Sequence, residues 1–579
     1  MLVYGDHAAS ESTRDKLDRV SGGVADAFRL SAGIERHAGL VDAFIEAGEL
    51  LQGVADGEFD QHRSDAPSEA QKAVTAVLMA LAGCVWQSWL SGFSQPRAPP
   101  DLGPLPNLRQ IVTVRRPEGF AFYGLYPEAY GEAAASLAGR SLQVIGIRSI
   151  GTGLSAMVAA AADAPPPVTV RPIGHPFRRA LAIGPALRSA LLARPPALFA
   201  IVDEGPGLSG SSFGAVADWL QSQGIESRQI HFFPSHGNDL GSEASDAHRR
   251  QWAQASRHIA EFETFILHAR CRPHRLQSWI ADLIGPVDEP LTDISAGNWR
   301  CHRYASEHDW PPANPQQERR KYLAKSGGKT WLCKFAGLGR LGREKLARAN
   351  ILSQAGFTPA IAGLRHGFMI ERWIEPISAA PDERQGFIDR VGAYLAFRAR
   401  EMPAGNEYGA SLLALAQMAG HNVAQACGQD AARRLSADIS ALPEMESRVR
   451  RVATDNRLHH WEWLHRAGGP SLKADALDHC RGHDLIGCQD IAWDVVGAAV
   501  ELTLTAPELE QVCIIIERET GRGVDIRLLL LLEPCYLAFQ LGYYVLAAQT
   551  ASMMQNEFAR IERSKQRYTA ALQTMADRS

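Results

Sequence analysis

The chain has no CxxC pair, no dense cysteine framework, no excess of basic charge and no Walker loop, and each absence removes a class of protein. Its nine cysteines, Cys84, Cys271, Cys301, Cys333, Cys427, Cys480, Cys488, Cys513 and Cys535, are scattered through 579 residues. That excludes the disulfide scaffold of small secreted domains and predicts reduced thiols. Lys and Arg number 60 against 64 Asp and Glu, a net charge of −4, so no global basic field draws the chain to nucleic acid or anionic lipid. Asp6, Glu11, Asp15 and Asp18 precede any long apolar run. This is the reverse of a signal peptide, and a cytoplasmic protein is expected. The apolar run 528–548 is broken by Glu533, Pro534 and Gln540 and reads as a buried pair of core helices rather than a membrane span. There is no nucleophile elbow and no heptad run.

What is present supports several cores. Hydrophobic residues make up 46% and charged residues 21%, the balance of an ordinary globular chain, and at roughly 150 residues per domain the length predicts three or four folding units. Residues 1–95 show helical spacing, as in Val41, Phe44, Ile45 and Leu50, and predict a helical cap. The proline-rich stretch 95–104 marks its end. From 105 to 245, apolar runs at 142–147, 168–171, 198–202 and 229–233 alternate with helical segments at 155–162 and 212–223, the pattern of a parallel sheet with crossover helices. A helical connector covers 246–315 and ends in a second proline-rich hinge at 311–315. The last module, 316–579, opens on a β-hairpin, with strands at 320–324 and 330–335 joined by a glycine-bearing loop, and is mostly helical beyond 384. The expected fold class is multidomain α/β and α+β: an N-terminal helical region, a parallel-sheet domain and a bilobal C-terminal domain.

Two constellations carry chemistry. In the first, the strand 198–202 delivers Asp203 and Glu204 to its carboxyl edge, and a Gly/Ser turn then opens a helix near Ser212. Backbone N–H groups freed by Gly207 and Gly210, with the hydroxyls of Ser209, Ser211 and Ser212, predict an anion cradle. The two acids suit ribose hydroxyls or a Mg2+ bridge, and helix capping is the plain alternative for an Asp-Glu pair in this place. The turn resembles that of type I phosphoribosyltransferases, and the likeness covers about 105–240. The resemblance implies that Asp203 and Glu204 are catalytic and that phosphoribosyl pyrophosphate is bound with Mg2+. It also implies that Arg148, in the segment Gly146-Ile-Arg-Ser-Ile-Gly-Thr-Gly153, and Arg171 contact pyrophosphate. Gly205-Pro206 and Ser209 stand where the family has aliphatic residues and threonine.

In the second constellation, Lys334 follows Leu332 by two positions on a strand and shares its face. A lysine so placed needs an anionic partner, of which a nucleotide phosphate is one. Glu344 on the helix 342–354 could supply an ion-pairing carboxylate, and 363–374, which contains Glu371, reads as a strand running into a hinge for adenine. Five acids and two histidines crowd 472–494. Their order resembles the aminoglycoside phosphotransferase branch of the protein-kinase-like fold, over about 318–550. The resemblance implies an ATP-dependent phosphotransferase in which Asp475 deprotonates the acceptor hydroxyl and Asp484 holds Mg2+, with Asp490 as its rival. His479 or Asp478 would be a further metal ligand, and Asp494 a structural acid. Lys473-Ala474 stands where the family has His-Gly, and the family's Asn has no counterpart. His479 and His483, four apart beside Asp478, Cys480 and Asp484, also admit a Zn2+ or Fe2+ site, and a solvated acidic loop is the plain alternative. His459, His460, Trp461 and Trp463 read as a packing cluster or a wall of the acceptor pocket.

The reading that joins the two is a bifunctional enzyme acting on a small, nucleoside-like molecule, with a Mg-dependent phosphoribosyl-transfer site and an ATP-dependent phosphotransferase site, and no nucleic-acid or membrane partner. The alternative is a nucleotide-sensing binding protein built on degenerate enzyme folds.

Overall fold

The computed structural model describes the chain except at residues 6–7, 104–107, 109–110, 194–196, 315–316, 376–383, 467–468, 552–553 and 579. Its layering follows from the strand Leu198–Val202, which is buried at every residue and so needs a cover on each face. This strand is the centre of a five-stranded parallel sheet with the spatial order Val168–Val170, Leu142–Ile147, Leu198–Val202, Ile230–Phe233, Ser256–Arg257. Strand order reverses between Leu142–Ile147 and Leu198–Val202, the place where open parallel sheets bind ligands.

Alternate residues of these strands feed two cores. Ile145, Phe199, Ile201 and Phe232 pack under the helices Pro185–Leu192 and Ser211–Ser222. Val144, Ala200, Val202 and Phe233 pack on the other face against the helices Ile34–His62, Glu69–Leu90 and Gly151–Ala161. The N-terminal helices are therefore the second layer of a sandwich and not a separate cap. Ser12 and Ser68 start two of them by accepting the N–H groups of Asp15 and Gln71. Gly53 lets the long helix lie on Val112, where a Cβ would come within 2.9 Å. Val112 belongs to the strand Ile111–Arg115, which pairs antiparallel with Ala8–Ser12. The prolines near 100 thus mark a change of secondary structure and not the edge of a core. Pro104, and Pro315 of the second hinge, lie outside the described residues.

The second sheet is antiparallel, in the order Thr292–Asp293, Lys321–Ser326, Lys329–Phe335, Phe368–Arg372, Ile361–Arg365. Its first hairpin turns on Gly327 and Gly328 alone, with φ of 55° and 71°, so both strands extend further into the loop than the spacing predicts. Tyr322, Phe335, Phe368 and Ile370 join the core that contains Val144 and Ala200. One hydrophobic core therefore runs from the N-terminal helices through the parallel sheet to this one.

Beyond it, the helices Arg384–Glu401, Leu412–Cys427, Ala492–Glu501, Ala506–Thr520, Ile526–Ala551 and Gln555–Arg578 form the C-terminal layer. The run 528–548 lies in one helix and not in a pair. Pro534 cannot bond the carbonyl of Leu530, but Leu530 is 67% exposed and water can take over the lost bond. This helix and Glu69–Leu90 are long and apolar enough to cross a membrane by length and composition, and both are more than half buried within the protein.

Candidate functional site

Cys333 and Phe335 of the strand Lys329–Phe335 point into the core, so the alternating Leu332 and Lys334 line a cleft between the antiparallel sheet and the C-terminal helices. The Lys334 ammonium donates to the carboxylates of both Asp475 and Asp478. Asp475 ends the segment that follows the strand Gly469–Lys473 and has a φ of 55°, a left-handed conformation that aspartate tolerates better than most residues. Lys345, fully buried on the helix Gly339–Gln354, also donates to Asp478, at 2.6 Å. Burial pulls the Lys334 ammonium down, but Asp475 and Asp478 outweigh it and hold it above the usual lysine range. Burial raises both acids, yet Lys334 holds each of them below the usual carboxylate range. Lys345 has one acid and a cationic neighbourhood, and burial lowers it to about 8. Glu371, in the same cleft, is raised to about 7 by burial against the pull of Lys334.

Glu344 does not pair with Lys334. It accepts from Arg481 at 3.0 Å and lies 4.0 Å from Arg340. Consecutive helical residues are about 100° apart, so when Lys345 faces the cleft Glu344 is turned aside.

A loop unmarked in the sequence completes the cleft. After the strand Arg451–Val452, which pairs with Gln489–Asp490, the Asp494 carboxylate accepts the backbone N–H groups of Asp455 at 2.7 Å and Asn456 at 2.9 Å. Asp455 then turns its own side chain into the core, where Tyr394 donates to it and Lys473 lies 3.2 Å away. Arg457 comes next and faces the cleft, with its guanidinium 4.1 Å from the Tyr543 ring centroid. His459, Trp461 and Glu462 follow along the same wall. His459 stacks on Trp461, while Trp463 is buried in the core beside Tyr394.

The remaining acids of 472–494 divide by position. Asp484 is bridged to Asp475 by His479, whose ring nitrogens lie 3.4 Å from Asp475 and 3.9 Å from Asp484. Asp490 accepts the N–H groups of Arg450 and Ala492 at the start of the helix Ala492–Glu501 and stands outside the cleft. His479 and His483 do not converge, because the segment between them is a single turn at His479–Arg481 and not an α-helix, and His483 packs against Tyr4 and Phe122. The two histidines therefore do not form a transition-metal pair.

The other constellation lies at the reversal of strand order. Asp203 and Glu204 are half-buried and line a cavity of about 1050 Å3 with Tyr123, His236, Arg320 and His483. Glu204 accepts the N–H of Gly119 at 3.1 Å, and an oxygen of Asp203 accepts that of Glu204 at 2.9 Å. Of the predicted cradle residues only Gly207 lines this cavity. Ser209 donates to Ser211, Ser211 donates to the carbonyl of Pro176, and both are buried; Gly210, at φ 62°, caps the helix Ser211–Ser222, whose second residue is Ser212. Arg148 and Arg171 are bound internally. Arg148 donates to Asp56, Asp65 and Thr169, and Arg171 to Asp56 and the carbonyl of Arg148. These bonds engage every nitrogen of both guanidinium groups.

Burial raises Asp203 to about 7, and burial followed by repulsion from Asp203 raises Glu204 to about 8. A divalent cation at this pair would have to displace protons, so any affinity for Mg2+ should rise with pH through that range, by up to about tenfold per pH unit for each proton displaced. The double variant Asp203→Asn, Glu204→Gln should lose the dependence in calorimetric titrations. The same shifts make stability fall as pH rises from the ordinary carboxylate range through 7 and 8, because over that window the native state keeps protons that the unfolded chain has lost.

No family model and no curated protein matches the chain. Among solved structures, choline kinase LicA from Streptococcus pneumoniae is 14% identical, with a TM-score of 0.29 over 43% of this chain and 89% of its own. A macrolide 2'-phosphotransferase type I is 15% identical, with a TM-score of 0.33 over 51% of this chain and 97% of its own. A spectinomycin phosphotransferase in complex with ADP and spectinomycin is 12% identical, with a TM-score of 0.31 over 51% and 93%. These likenesses are remote, and a functional reading has to rest on the geometry around Lys334 and Asp475.

Proposed function

We propose that the cleft around Lys334 and Asp475 holds a magnesium nucleotide, ATP, and passes its terminal phosphoryl group to a hydroxyl of a small, nucleoside-like molecule. The observation that carries this reading is the Lys334 ammonium bonded to Asp475 and Asp478 on the cleft wall. The accessible space is about 130 Å3, below the roughly 300–1,000 Å3 typical of ligand pockets, so the ion pair occupies room that phosphates would need. A phosphate can replace Asp475 as the partner of Lys334. Asp475, thus released, and Glu462, whose backbone carbonyl accepts from Ala474 at 2.7 Å beside it, offer the hard oxygen donors that suit Mg2+. Bound there, Mg2+ would neutralise charge on the transferring group.

One observation favours a second reading, nucleotide sensing without transfer. The loop anchored by Asp494 turns Asp455 away and presents Arg457 to the cleft, and a guanidinium cannot take the proton of an acceptor hydroxyl. Calorimetry with Mg-ATP and a phosphate-release assay separate the two: binding with turnover supports transfer, binding alone supports sensing, and no binding removes both.

For the second site, we infer that Asp203 and Glu204 hold Mg2+ against a phosphorylated ribose, with phosphoribosyl transfer as the reaction to test. Their place at the reversal of strand order supports this, and the internal bonds of Arg148 and Arg171 weigh against pyrophosphate contacts from those two side chains.

A further inference from the structure

Away from both cavities, His37, Glu128 and His366 meet where three parts of the chain join: the helix Ile34–His62, the helix Pro127–Ala134 and the turn between the strands Ile361–Arg365 and Phe368–Arg372. Their ligand atoms all lie within 4.8 Å of one another. Both His37 Nε2, at 2.6 Å, and His366 Nε2, at 2.9 Å, contact the same oxygen of Glu128, Oε1. All three residues are buried, among Trp89, Phe93, Tyr126 and Trp279.

This arrangement leaves two polar atoms unpartnered. Among the described residues no lysine or arginine is in ion-pair range of Glu128; its charged contacts are the two histidines. Its other oxygen, Oε2, is buried with no hydrogen-bond partner, and so is His366 Nδ1. An isolated buried carboxylate is costly unless it is paired or coordinates a metal.

We propose that His37, Glu128 and His366 form a structural Zn2+ site, with the two Nε2 atoms and the two carboxylate oxygens of Glu128 as its four donors. Two imidazoles and a carboxylate, with no sulfur, are a donor set that zinc accepts. At zinc–ligand distances of about 2.0–2.2 Å the donors need to spread by less than about 1 Å from their hydrogen-bonded separations. Each neutral imidazole then carries its proton on Nδ1, which for His366 has no acceptor among the described residues. For His37 that N–H points at Ser88 Oγ, 3.0 Å away, the kind of outer contact that fixes a metal-bound imidazole. The hydroxyl of Tyr126 donates to the carbonyl of His366 at 2.8 Å and holds the turn in place. The ion would replace two hydrogen bonds by a clamp on three segments that are 91 and 238 residues apart.

The test uses the full-length protein. Metal content is measured as purified, and the chelator-treated protein is titrated with Co2+ while its visible d–d bands are followed, then with Zn2+ against a chromophoric chelator. One equivalent of Zn2+, displacing Co2+ from a four-coordinate spectrum and raising the melting temperature, is the expected result. His366→Ala should weaken Zn2+ binding by at least about 100-fold, whereas His479→Ala with His483→Ala should leave it unchanged. A folded wild-type protein that takes up no stoichiometric Zn2+ or Co2+ overturns the proposal and leaves a hydrogen-bonded triad. Binding that survives His366→Ala but not the His479/His483 pair also overturns it. If His366→Ala does not fold, the wild-type titration decides alone.

Discussion

Lys334→Met is expected to abolish Mg-ATP binding, with an affinity loss of at least about 100-fold, and to lower stability by about 2–3 kcal/mol in the absence of ligand. The two effects have one source. Lys334 neutralises two acids in a poorly solvated cleft, and breaking a buried pair costs about 3–5 kcal/mol because the remaining charge is stranded. Here the cost is smaller: Asp478 keeps Lys345 at 2.6 Å, and the Asp475 side chain is 33% exposed and can recover some hydration. The affinity loss is not softened in the same way, since Met offers nothing to a phosphate. Lys334→Arg should restore the stability and part of the binding, and calorimetry with thermal denaturation reads both. A methionine variant that binds Mg-ATP as the wild type does would remove the nucleotide reading.

Asp494→Ala should cost about 3–5 kcal/mol, because it strands two buried N–H groups at about 1–3 kcal/mol each. These are the amides of Asp455 and Asn456, and Asp494 is only 1% exposed, so water cannot take over the role. Asn456 has a φ of 65°, a conformation that needs the surrounding structure to hold it. Without the anchor the loop should relax and Arg457 leave the cleft. Asp494→Asn keeps one acceptor oxygen and should cost about half as much. Chemical denaturation of the three proteins gives the order wild type, Asn, Ala. Equal stability of the Ala variant and the wild type would show that the loop is held by something else.

The sequence carried the sheet and the charged centres but not their partners. The strands at 142–147 and 198–202 could be read because continuous apolar runs between helical segments have few other uses, and Lys334 stood out because it interrupts such a run. The sequence offers Glu344 as a carboxylate for Lys334, but Lys345 is the residue of that helix that meets the cluster, because adjacent helical residues differ only in phase, and phase depends on how the helix seats on the sheet. Arg457 sits in no motif; only the grip of Asp494 on the preceding two amides shows where the loop points. Arg148 and Arg171 looked free for pyrophosphate because their acids, Asp56 and Asp65, lie 83 to 115 residues upstream. The role of the N-terminal helices does have a signal in the sequence: Gly48 and Gly53 on one long helix mark close approach, and Gly48 meets the backbone of Gly153, with only 3.4 Å of room for a Cβ.

The short segment from Asp475 to His483 borders both cavities, since Asp475 faces Lys334 and His483 lines the space beside Asp203 and Glu204. A ligand that moved this segment on entering one cavity would reshape the wall of the other, and thermodynamic linkage would make any resulting change of affinity the same in both directions. The two cavities therefore share one stretch of nine residues as a common wall.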